Sequence, residues 1–170
     1  MESLPKAHLP RIRIPMRPLD YALEILAVFG LLALVGITTF YYKRLPAQPL
    51  SDYGFQNQLF GFGSKNTLCL LAALGLALYI FMTLVNRRPE KFNYLVEITP
   101  ENASNQYTLV TKVIRILKAF VMLLFSFLIW RNIGILMGKT QVQSIWLLPV
   151  VMAVTLGATF FYILKSTAQK

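Results

Sequence analysis

Charge is what this chain has least of. Asp, Glu, Lys and Arg together make up 14% of its 170 residues, whereas a soluble domain carries about a quarter. That is too few to cover a water-facing globular surface. Histidine and cysteine are scarcer still, with His8 and Cys69 standing alone. A single cysteine excludes an intrachain disulfide framework. Lying inside an apolar run, Cys69 reads as a small buried hydrophobe. One histidine and one cysteine cannot supply convergent metal ligands, most acid–base relays, or the two axial histidines of a haem. No glycine-rich phosphate loop precedes a helix, since Gly61-Phe62-Gly63-Ser64-Lys65 has the wrong spacing. The expectation is a protein without enzymatic activity and without cofactor or metal.

Apolar residues are what it has in quantity: they make up 56% of the chain, with a mean hydropathy of +0.56. They gather in four runs, about 21–42, 66–85, 114–130 and 145–164, each near the ~20 residues that cross a bilayer. The expected fold is an all-α membrane protein, a bundle of four transmembrane helices over residues 20–170 behind a basic tail, residues 1–19. Pro5, Pro10, Pro15 and Pro18 forbid a continuous helix in that tail. The first run is too long for a signal peptide and ends in Tyr41-Tyr42-Lys43-Arg44 rather than at a small-residue cleavage site.

Local signals place the helix ends. Asp20 offers an N-cap to the first helix. The second stops at Asn86-Arg87-Arg88-Pro89, because the residue before a proline leaves the helical region. Thr99-Pro100-Glu101 combines a capping hydroxyl, a proline at the first helical position and an acid at the positive dipole end. A helix from there to Trp130 is about 46 Å long at 1.5 Å per residue. It exceeds the roughly 30 Å hydrocarbon core, so its first third is expected to project from the membrane or lie on its surface. Tyr107, Val110, Ile114, Leu117 and Val121 give that part an apolar face, and Lys112, Arg115 and Lys118 a basic stripe. A short loop with Asn132, Gly138 and Lys139 then leads to the fourth run. Ala73 with Ala77, and Ala153 with Gly157, are small residues four apart that allow close helix approach.

Lys and Arg outnumber Asp and Glu by 17 to 7. The cations sit at the ends of apolar runs, where they meet anionic lipid headgroups, so a bilayer rather than nucleic acid is the expected partner. Their distribution orients the chain. The tail, the middle loop and the C-terminus hold twelve: Lys6, Arg11, Arg13, Arg17, Arg87, Arg88, Lys91, Lys112, Arg115, Lys118, Lys165 and Lys170. The other side holds five: Lys43, Arg44, Lys65, Arg131 and Lys139. The cation excess puts both termini in the cytoplasm, and it brings Trp130 and Trp146 together at the outer interface.

Within the runs, Glu24 is the one acid. It reads either as an intramembrane carboxylate in a proton or ion path, or as an anion at the positive end of its helix dipole. Lys118 or Arg115 can approach it from the same side. Outside, residues 45–65 read LPAQPLSDYGFQNQLFGFGSK, an aromatic-rich loop with turn formers at Gly54, Asn57, Gly61 and Gly63. A short hairpin is expected, with 50–53 and 58–62 flanking a turn near Gln56-Asn57. It serves as a lid over the helix ends, as a recognition surface for an external protein partner, or as both. Asn102-Ala103-Ser104 fits a glycosylation acceptor but falls on the cytoplasmic side, so it is taken as incidental.

The loop resembles one found in a bacterial membrane family of unknown function, whose domain also forms the N-terminal part of SdpI-type immunity proteins. That pattern runs Leu-Pro, a second proline, His-Phe, Gly-x-Pro, then Gly-Trp-Gly-Ser-Lys at the second helix. Leu45-Pro46 matches its start and Gly61-Phe62-Gly63-Ser64-Lys65 its end without a gap. Asp52-Tyr53 stands for His-Phe, Asn57 for glycine and Leu59 for proline, and Asn tolerates left-handed geometry better than most residues. The segment from Asn93 to Phe120 resembles one in related bacterial proteins, which show a similar N-Y-x-V-x-I-T-x-E-N-A…Q-Y run before the third helix. The resemblance implies membrane location and a bacterial source, and together with the aromatic loop it points to a sensor or immunity-like role in the cytoplasmic membrane. The alternative is a transporter component or accessory subunit, with Thr38, Thr39, Thr83, Ser126 and Thr155 as its polar interior.

Overall fold

In a computed structural model, residues 14–45, 65–139 and 146–168 are described. Among them are four α-helices, α1 (Pro18–Tyr42), α2 (Lys65–Asn86), α3 (Ala103–Leu136) and α4 (Leu147–Thr167), a single 3-10 turn over Pro89–Lys91, and no strand. All four helices are long and apolar enough to cross a membrane. The chain is an all-helical, multi-pass membrane protein.

Helix ends differ from expectation where local hydrogen bonds intervene. α1 starts at Pro18, a residue whose missing N–H costs nothing in the first turn. Asp20 is therefore not the N-cap: it sits in the first turn, and its Oδ2 accepts the Arg17 N–H at 2.9 Å. α3 starts at Ala103 rather than after Thr99. Thr99 and Asn102 close a turn on each other, with Asn102 Oδ1 accepting the Thr99 N–H at 2.9 Å and Asn102 Nδ2 donating to the Glu97 carbonyl at 3.0 Å. Short polar side chains of this kind compete with the helix for its first backbone groups. At its other end α3 runs past Trp130 to Leu136, with Gly138 at φ 68° supplying the left-handed stop. Asn132, expected in a loop, lies fully buried within the helix. The helix has 34 residues, about 51 Å at 1.5 Å per residue.

α3 is the central element, with α1, α2 and α4 all packed on it. On α1 the buried stripe is Ala27, Gly30, Leu34 and Thr38, at helical three- and four-residue spacing. Gly30 marks the crossing with α3. A Cβ there would stand 2.9 Å from Met122 Cβ and 3.1 Å from the Met122 carbonyl carbon. Ser126 Oγ donates to the Gly30 carbonyl at 2.7 Å across the same contact. Gly75 of α2 receives the Leu34 side chain, whose Cδ2 lies 2.6 Å from where its Cβ would be. Close approach thus uses Gly30 and Gly75, not the expected pairs: Ala73, Ala77, Ala153 and Gly157 are all exposed, because those faces turn away from α3. Cys69 is likewise exposed rather than buried, on a face that lipid can cover.

Farther along, Leu34, Leu45, Leu68, Ile129, Ile133 and Leu136 form a core cluster between α1, α2 and α3. α4 stands apart from that core. None of its apolar window is buried, and it is tied to α3 through its last turn. Gln106 Nε2 donates to the Ser166 carbonyl at 3.0 Å, while Ser166 Oγ donates to Gln106 Oε1 at 2.9 Å, both side chains being buried.

Candidate functional site

Acids and bases meet where α1 begins and α2 ends. Asp20 and Glu24, four residues apart, share one face of α1, and Arg115 and Lys118, three apart, share one face of α3. The two faces oppose each other. Arg115 Nη1 lies 3.0 Å from Asp20 Oδ1, and Lys118 Nζ lies 2.6 Å from Glu24 Oε2. α2 completes the site: Lys118 Nζ also donates to Thr83 Oγ1 at 3.3 Å and lies 5.1 Å from the centre of the Tyr79 ring. Two acids and two bases, with a hydroxyl and an aromatic face, therefore join three helices in one neutral network.

Burial is uneven across it. The side chains of Asp20, Arg115 and Lys118 are 5%, 7% and 1% exposed, while that of Glu24 is 26% exposed. Glu24 is the member that water or headgroups can reach. Arg115 Nε stands 3.6 Å from Glu24 Oε1, too far for a hydrogen bond, and has no partner. The slack in the network lies there. Asp20 serves two roles, since its second oxygen holds the first turn of α1.

The geometry corrects the expected basic stripe. Arg115 and Lys118 do not face solvent with Lys112; they point into the bundle, and Lys112 is left half-buried. The inward face of α3 runs Tyr107, Thr111, Arg115, Lys118, Met122, Ile129, Ile133 and Leu136, so one apolar stripe is interrupted by two cations. Both bases do approach Glu24, as expected from their position. Asp20, Tyr79 and Thr83 were not singled out as partners, although two acids four apart near the end of an apolar run, facing two bases three apart near the end of another, were a usable signal.

At the other end of the core, the two described ends of the loop motif meet. Leu45 is buried against α3, and Lys65 Nζ donates to the Leu45 carbonyl at 3.1 Å while lying 4.9 Å from the centre of the Tyr42 ring. Pro46, Asp52, Tyr53, Asn57, Gly61, Phe62, Gly63 and Ser64, with the expected hairpin, lie outside the described residues. The hydroxyls expected of a transport interior do not converge. Thr38 Oγ1 donates to Leu34 within its own helix, Thr39 and Thr155 are exposed, Thr83 sits on Lys118 and Ser126 on Gly30.

Beyond α2, Tyr94 pins the connection to α3. Its hydroxyl donates to the Pro89 carbonyl at 2.7 Å and its ring centre lies 5.5 Å from that of Tyr107. Burial, reinforced by Tyr107, Tyr162 and Glu90, pushes the Tyr94 hydroxyl well above the usual tyrosine range. No protein-family model matches the chain, and no curated protein or solved structure does so.

Proposed function

We propose that the protein is a non-enzymatic sensor or immunity-like protein of the bacterial cytoplasmic membrane. In this reading both termini lie inside, and the segment 46–64 meets a protein partner outside. The observation that carries it is the clamp at the base of that segment. Its two flanking residues are fastened to each other and to the core by the Lys65–Leu45 bond and the burial of Leu45. A loop anchored at both ends on packed helices presents its side chains from a fixed base, which lowers the ordering cost of recognition. It can also pass a force on the loop to α1 and α2 directly. The charge network joins those same two helices to α3 at their opposite ends, so it forms the inner half of a two-sided relay.

The aromatic residues Phe55, Phe60 and Phe62 are the expected contact side chains. Replacing all three by serine should abolish capture of the outside partner from native membranes while the helical circular dichroism is retained; undiminished capture by a folded triple variant would refute the reading. The transporter alternative needs polar side chains facing one another along the bundle, and the five hydroxyls named above are turned apart. Solute flux through reconstituted protein is expected to stay at background.

A further inference from the structure

A cleft lies beyond the charge network, where α2 ends and the 3-10 turn folds back. It has a volume of about 640 Å³ and is lined by Phe81, Leu84, Val85, Arg87, Arg88, Lys91 and Phe92. That volume is within the ~300–1,000 Å³ range of small-molecule sites. Its lining changes character in order along the helix. Phe81, Leu84 and Val85, on the last two turns of α2, form an apolar wall open to the side. Arg87 and Arg88 follow at once, and Lys91 and Phe92 come from the turn that begins at Pro89. Even counting Glu90 in the same turn against them, the three cations leave the polar end with an excess of two positive charges.

We infer that this cleft is a binding site for one anionic phospholipid, with an acyl chain along Phe81, Leu84 and Val85 and its phosphate held by Arg87, Arg88 and Lys91. The order of the lining, apolar then cationic, is the order of the lipid itself from tail to head. Leu84 and Phe81 are 56% and 62% exposed on a helix long and apolar enough to cross a membrane, so a tail in the bilayer would reach them without an entry path. Arginine pairs phosphate oxygens in a planar two-point geometry that a zwitterionic headgroup weakens with its own ammonium. Basic pockets at the ends of membrane helices hold acidic headgroups for the same reason. The occupant would rest against the connection that leads into α3, beside Phe92 and two residues from Tyr94.

The test is lipid retention by the full-length protein in native mass spectrometry, after equilibration with phosphatidylglycerol or with phosphatidylcholine. The wild-type chain should keep one phosphatidylglycerol molecule at collision energies that strip phosphatidylcholine. The variant R87Q/R88Q/K91Q should hold it at least tenfold less well, on a scale of roughly fivefold per cation at a membrane surface. R17Q/K112Q/K165Q removes equal charge from cations outside the cleft and should hold it almost as well as the wild type. Leu84→Trp, a change at an exposed position, should obstruct the tail and lower retention with every cation in place. Equal retention of the two lipids, or equal loss from the two charge variants, would overturn the site. So would undiminished retention by Leu84→Trp, which decides the matter should the cation variant fail to fold.

Discussion

Removing one side of the Lys118–Glu24 pair should not cost the same as removing the other. In Glu24→Met, the Lys118 ammonium stays 1% exposed and keeps only the Thr83 hydroxyl and the Tyr79 ring. An orphaned buried charge of this kind costs about 3 kcal/mol or more. In Lys118→Met, Glu24 keeps 26% exposure and the Arg115 guanidinium at 3.6 Å, so the loss should be nearer ~1–2 kcal/mol. With both replaced, no charge is stranded, and an apolar pair of similar volume should come within about 1 kcal/mol of the starting stability. The coupling between the two sites is then about 3 kcal/mol, at the upper end for contacting residues. Reversible unfolding in mixed micelles, titrated with a denaturing detergent and followed by helical circular dichroism, measures all four corners of the cycle. Strictly additive losses would refute the network as a cooperative unit. A larger loss from Lys118→Met than from Glu24→Met would refute the burial argument behind the asymmetry.

At the α1–α3 crossing, Gly30→Ala forces a methyl group to 2.9 Å from Met122 Cβ and should destabilise by about 1–3 kcal/mol. Gly36→Ala on the same helix meets nothing within 4 Å and should change stability by less than about 1 kcal/mol; equal effects in the same unfolding assay would contradict the close approach. For Tyr94, a raised native value means that the folded state binds the hydroxyl proton more tightly than the unfolded one. Its contribution is therefore complete below the unfolded value of about 10 and is lost as the pH rises through the higher native value. Ultraviolet titration of wild type against Tyr94→Phe should show no tyrosinate difference near pH 10; an ordinary ionisation of Tyr94 there would count against its burial.

How much of this was legible beforehand depends on which force decides each feature. The four spans are set by runs of apolar residues, and α2 lies at 65–86 within a residue of its expected ends. Helix boundaries governed by polar side chains were less legible. Thr99-Pro100-Glu101 looked like a start, but the Thr99–Asn102 turn took the first backbone groups. Asn132 looked like a loop residue, but α3 carried it into the core. Helical periodicity marks which residues share a face without saying which way that face turns. Spacing puts Lys112, Arg115 and Lys118 on one basic stripe, and the opposing acids of α1 explain why two of the three turn inward. Gly30 carries no spacing signal of its own; its role comes from Met122, nearly a hundred positions away. The loop resemblance had its two ends brought together at Leu45 and Lys65, a contact that no local pattern encodes.

The relay needs the 46–64 segment outside and the charge network's end of the bundle inside. Substituted-cysteine labelling tests this most directly. In a Cys69→Ala background, single cysteines at Ser51, His8 and Lys170 are treated in intact cells with a membrane-impermeant maleimide. Labelling of the Ser51→Cys variant in intact cells, with His8→Cys and Lys170→Cys reacting only after permeabilisation, is the predicted result. Labelling of either terminal cysteine in intact cells, with Ser51→Cys protected, would contradict it.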